Sequence, residues 1–125
     1  MKHDVDGHLP LGPATLHILI ALAAEDLHGY GIMQEVARQS EGRYKIGPGT
    51  LYDNLQRLTA QGVVMDVDPG PQQDSRRRYY RLTSLGRAIL SAEINRLEAV
   101  VVHAKLQLQP AKPRMEPDQK RVEAS

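Results

Sequence analysis

The sequence predicts a mainly α, α+β domain. Three observations carry that reading. Three segments space their apolar residues as helices do, a pair of short alternating segments flanks the loop Pro69-Gly70-Pro71-Gln72-Gln73-Asp74-Ser75, and a long later segment repeats its apolar residues every three or four positions. The chain has 125 residues, the size of one domain with an added element. It has no Cys, which excludes a disulfide framework, thiolate metal sites and a Cys nucleophile. A cytoplasmic location is the expectation, since zero Cys is compatible with a reducing compartment. No apolar run approaches the roughly 18 residues of a membrane span, and the first residues lack the basic-then-apolar order of a signal peptide.

Residues 1–9 are polar, without period, and read as a flexible tail. The first helix begins at Gly12-Pro13, since a proline at the first helical position loses only an N–H that would have no helical partner. Leu16, Leu19, Ile20 and Ala23 form one stripe, and Leu11, Ile18 and Leu22 widen it. A helix this broadly apolar expects burial on two sides. Leu27-His28-Gly29-Tyr30-Gly31 reads as a turn. A second helix runs from Tyr30 to Gln39, with Ile32, Met33, Val36 and Ala37 inward, and Ser40-Glu41-Gly42 stops it. Gly47-Pro48-Gly49-Thr50 opens a third helix whose Leu51, Leu55 and Leu58 share one face. The opposite face carries Thr50, Asp53, Asn54, Arg57 and Gln61, and Gly62 ends it.

Val63 to Val67 and Arg77 to Leu82 read as the strands of a hairpin, joined by a loop from Pro69 to Ser75. Thr83 is placed to cap a fourth helix. There Leu90, Ile94, Leu97, Val101, Ala104 and Leu108 recur at the 3.5-residue spacing of a two-helix seam. Pro110 ends that helix, and the charged, proline-bearing residues after it read as disordered. The expected organisation is therefore a tail at 1–9, a compact domain at 10–83, a dimerisation helix at 84–109 and a disordered tail at 110–125.

Charge is uneven along the chain. From Arg43 to Arg87 there are eight basic and four acidic residues, and all five tyrosines fall between Tyr30 and Tyr80. Basic charge with interleaved aromatics is a modest nucleic-acid signal. Two helices joined by a short Gly-containing connection, followed by a hairpin, fit a winged helix-turn-helix. Such a module places its third helix in the major groove of double-stranded DNA. Asn54 and Arg57 have the donors and acceptors to read base edges there. Arg76, Arg77 and Arg78 on the hairpin offer planar donor forks for phosphate. The bland alternative for the arginines is a charge-protected hairpin edge.

The residues also resemble a known family. His28-Gly29-Tyr30-Gly31-Ile32, then Gly49-Thr50-Leu51-Tyr52 with Leu55, Arg57 and Leu58, then Gly62-Val63-Val64, then Arg77-Arg78-Tyr79-Tyr80-Arg81-Leu82-Thr83 with Leu85, Gly86 and Arg87 follow the order and spacing of the PadR family of bacterial transcriptional regulators. The resemblance spans roughly Leu11 to Leu108. It implies a winged helix-turn-helix, a homodimer and operator binding, usually as a repressor, in the subfamily with a single helix after the wing. The DNA-contacting residues it implies, with the reading above, are Tyr30, Thr50, Tyr52, Asn54, Arg57, Arg76, Arg77 and Arg78. Asp53 departs from the family, where a proline or a basic residue is frequent. As a carboxylate it either accepts from a cytosine amino group or pairs with Arg57.

Leu16, Ile20, Leu90, Ile94, Leu97, Val101, Ala104 and Leu108 are the expected dimer contacts, the alternative being packing of the terminal helix on the chain's own first helix. Family relatives also suggest a small apolar or aromatic effector, expected between the first and fourth helices of the dimer. The five histidines are scattered, so no metal site is expected, and no cofactor or catalytic constellation is legible. The competing function is a winged-helix module that contacts other proteins and has no specific DNA site.

Overall fold

The structure is a computed structural model that describes residues 5–71 and 76–110. The expected disordered segment beyond Pro110 and the residues at the hairpin tip, 72–75, lie outside the described residues. The elements are α1 (Pro13–Leu22), β1 (Leu27–His28), α2 (Gly29–Gln39), α3 (Pro48–Ala60), β2 (Val64–Val67), β3 (Tyr79–Leu82) and α4 (Ser84–Leu108). The chain divides into two compact units, residues 1–95 and 96–125. The fold is α+β, a winged helix-turn-helix followed by a long helix.

Local chemistry sets most of the boundaries. Gly12 is the extended N-cap of α1 and Pro13 its first residue. Gly47 and Pro48 open α3 in the same way. The Thr83 hydroxyl accepts the Gly86 N–H at 3.0 Å and lies 2.7 and 2.9 Å from the carbonyls of Gly62 and Val63. One side chain thus caps α4 and ties it to the start of the hairpin. Gly86 sits where this junction is tightest. A Cβ there would lie 2.4 Å from the Val63 carbonyl oxygen.

The first unit is built around one core. Ile18, Leu19 and Leu22 of α1, Ile32 and Val36 of α2, the three leucines of α3, and Val63, Val64, Tyr80, Leu82 and Ile89 are all buried in it. The leucines of α3 at i, i+4 and i+7 form the ridge that seats the helix, as their spacing requires. Glu93, 1% exposed, accepts the Leu11 N–H at 3.0 Å and so fastens the entry of α1 to α4.

Four expectations change. The segment read as a turn contains a strand. Leu27 pairs with Tyr80 and His28 with Tyr79, so β3 is the centre of an antiparallel sheet of order β1-β3-β2. The returning strand begins at Tyr79 and not at Arg77, because β2 ends at Val67 and Val67 already faces Tyr79. The chain before Pro10 carries structure from Val5 onward: Val5 and Leu9, four apart, pack against the core, and the Leu9 N–H donates to Asp6. Leu90 leaves the expected dimer seam. It is 7% exposed inside the chain's own core, because the first turns of α4 are covered by the winged-helix unit. Leu16 and Ile20 are half-buried and also pack against that core.

Within α4, the remaining seam positions are more open. Ile94, Val101 and Leu108 are exposed, as is Ala104, and Leu97 is half-buried. Val100, Val102 and Leu106 are exposed as well. No helix among the described residues is long and apolar enough to cross a membrane.

Candidate nucleic-acid interface

Helix α3 is seated by Leu51, Leu55 and Leu58, so the residues on its far side face outward. Thr50, Tyr52, Asp53, Gln56 and Arg57 are exposed and Asn54 is half-buried. Asn54 lies on the flank that meets α1. Its Oδ1 accepts from the Thr15 hydroxyl at 2.8 Å and from Arg57 Nη2 at 2.6 Å, and its Nδ2 donates to the Thr50 carbonyl at 2.8 Å. Arg57 Nη2 also donates to the Thr15 hydroxyl at 3.1 Å. Of the two readings of Asp53, pairing with Arg57 is not adopted, since the guanidinium is turned toward α1.

On the other flank, Tyr52 crosses to the start of α2. Its hydroxyl lies over Gly29, where a Cβ would come within 2.0 Å of it. Only a residue without a side chain leaves room for that crossing. Beyond Tyr52 a cleft of about 310 Å³ opens between α3 and the wing, lined by Gln56 and Thr59 on one side and Asp66, Arg78 and Tyr80 on the other. Burial raises the Tyr80 hydroxyl's pKa above its ordinary value, against the pull of the Arg78 guanidinium, so it stays a neutral phenol.

The wing brings its arginines to this side. Arg76, Arg77 and Arg78 are exposed in the segment before β3. Arg77 Nη1 lies 2.9 Å from His28 Nε2, while His28 Nδ1 accepts the Gly31 N–H at 2.9 Å and caps α2. Tyr30 is 56% exposed beside them, its ring stacked on His28 at 6.5 Å. A second recess of about 210 Å³ is shared by Tyr30, Tyr52, Arg77 and Arg78. Arg78 keeps a loose pair with Asp66 at 3.9 Å. Arg81 belongs elsewhere: both ends of its fork bond Asp26, at 2.8 and 3.0 Å.

Of the eight residues expected to contact DNA, the structure brings Tyr30, Tyr52, Arg77 and Arg78 around one recess. Thr50 and Arg76 are exposed, and Asn54 and Arg57 are bound into a network with α1. Sequence reasoning missed Thr15, His28 and Gln56. Thr15 carried a signal, a hydroxyl on a helix whose one other polar side chain is His17. The 28–79 pairing left none in so short a strand.

The arrangement, a helix-turn-helix whose third helix and arginine-bearing wing share a face, defines a transcription regulator of the winged-helix class. Comparisons agree. The model of the transcriptional regulator PadR-like family matches residues 18–92. A transcriptional regulator of Mycobacterium tuberculosis is 42% identical over 84 residues, 66% of this chain and 74% of that one. A PadR family transcription regulator of Clostridium difficile superimposes with a TM-score of 0.63 at 25% identity, over 78% of this chain and 100% of that one. A transcriptional regulator of Clostridium thermocellum gives a TM-score of 0.63 at 23% identity, over 84% and 97%. The chain belongs to the PadR-like family of transcriptional regulators, proteins that act on transcription and are not enzymes.

Proposed function

We propose that this regulator is a homodimeric repressor in the cytoplasm. It binds a palindromic operator in promoter DNA and is released by a small apolar or aromatic molecule. One observation carries the reading: the outward side of α3 and the arginines of the wing open onto the same cleft and recess. A helix in the major groove with a cationic wing beside it has base edges under the helix and phosphates under the arginines. The exposed apolar residues Ile94, Val101 and Leu108 on α4 support association of two chains, which would bury them at roughly 25 cal/mol per Å² before the costs of association. Two recognition helices then meet half-sites about one helical turn apart.

The test is a gel shift with the duplex upstream of the protein's own gene, at two salt concentrations. A dimer that neutralises about 6–10 phosphates loses affinity by roughly 10³–10⁵ between 50 and 200 mM salt. Binding that ignores salt and survives Arg77→Ala unchanged would remove the wing from the interface. Absence of any duplex binding at low salt would favour a protein-contacting module instead. The dimer is checked by the mass in solution, and effector release by loss of the shifted band on adding aromatic compounds.

A further inference from the structure

We infer that Asp53 and Gln56 are the base-reading side chains of α3, with Gln56 on an adenine and Asp53 on the amino group of a cytosine one or two base-pair steps away. The inference rests on the DNA-binding reading above and names what that site recognises. Leu51, Leu55 and Leu58 fix the buried direction of the helix. At about 100° per residue, the opposite ridge carries Gly49, Asp53 and Ala60, with Gln56 beside it. Gly49 and Ala60 are small and let the helix sit deep in a groove, so Asp53 and Gln56 reach furthest beyond the backbone.

Availability separates these two residues from their neighbours. Asn54 is half-buried, spends one amide N–H on Thr50 and has its acceptor taken by Thr15 and Arg57. Arg57 has its Nη2 engaged by Thr15 and Asn54, which turns the guanidinium toward α1. Asp53 and Gln56 are exposed, and no hydrogen bond or ion pair engages either of them among the described residues. Their chemistry then selects the bases. The Gln56 amide matches the N7 acceptor and N6 donor of adenine with two bonds. A carboxylate is repelled by phosphates and by the N7 acceptors of both purines. The cytosine N4 amino group is the donor that has no such acceptor beside it on its own base. Three residues along the helix rise about 4.5 Å against about 3.4 Å per base pair, which sets the spacing.

The experiment is enrichment from a randomised duplex pool by the full chain, by Gln56→Ala and by Asp53→Asn. Both positions are exposed, so folding is retained. The wild type enriches a half-site containing an A·T pair and a C·G pair one or two steps apart. Gln56→Ala lowers discrimination at the A·T pair by about 5- to 150-fold, with its salt dependence unchanged because no phosphate contact is lost. Asp53→Asn moves the second preference from cytosine toward adenine. A wild-type motif retained by both variants, or altered at other base pairs, overturns the assignment and leaves the DNA-binding reading standing. A pool in which the wild type enriches nothing overturns both.

Discussion

Thr15, 7% exposed, places a hydroxyl in a helix whose one other polar side chain is His17. It donates to Asn54 and accepts from Arg57, so it joins α1 to the recognition helix through two polar side chains. Thr15→Val keeps the shape and removes both bonds. The expected loss is about 1 kcal/mol of unfolding free energy, read as a lower urea midpoint, with Thr15→Ser closer to the wild type. If Val at this position is as stable as Thr, the network is ornamental. Arg77 acts by another route. It is exposed, so Arg77→Ala is expected to leave stability within about 0.5 kcal/mol. Affinity then weakens on all duplexes alike, and the salt slope falls by about one. Titrations at several salt concentrations check this.

Within α4 the same apolar residue types do opposite work along one element. Leu90 is core, whereas Val101 and Leu108 are exposed. Leu90→Ala should cost about 2–5 kcal/mol by leaving a cavity. Val101→Glu should leave the unfolding free energy of the winged-helix unit nearly untouched and lower the mass measured by sedimentation. Equal effects on both measurements would contradict the division. The junction that starts α4 is stricter still. Gly86→Ala drives a Cβ against the Val63 carbonyl, a backbone atom that cannot swing aside. The expected result is a loss of several kcal/mol, on the order of the severe cases of overpacking, visible as a large fall in the melting temperature.

The chain divides into a compact winged-helix unit, residues 1–95, and a second unit, residues 96–125. Its net charge of +1 conceals a basic middle third. On the proposed reading the attraction to DNA is local, set by Arg76, Arg77 and Arg78 and opposed by Asp53, and is not a field of the whole surface. The expected outcome is a complex sensitive to salt through few contacts. Should binding prove as salt-dependent with all three wing arginines replaced by Ala as without, the phosphate contacts lie elsewhere.

Much of this was legible in the residue order. The starts of α1 and α3 follow from Gly-Pro pairs, the core face of α3 from leucines at helical spacing, and the cap of α4 from Thr83, because each depends on neighbours a few positions away. The assignment to the PadR-like family rests on motifs of that same local kind. Folding in three dimensions decided what depends on partners far along the chain. The pairing of Leu27 and His28 with β3 made a strand of an apparent turn. The winged-helix unit drew Leu90 out of the seam that its heptad spacing suggested. Thr15, 39 residues before Asn54, claimed the side chain best suited on paper to a base edge. Periodicity reports which face of a helix a residue occupies, but only packing reports what already stands opposite it.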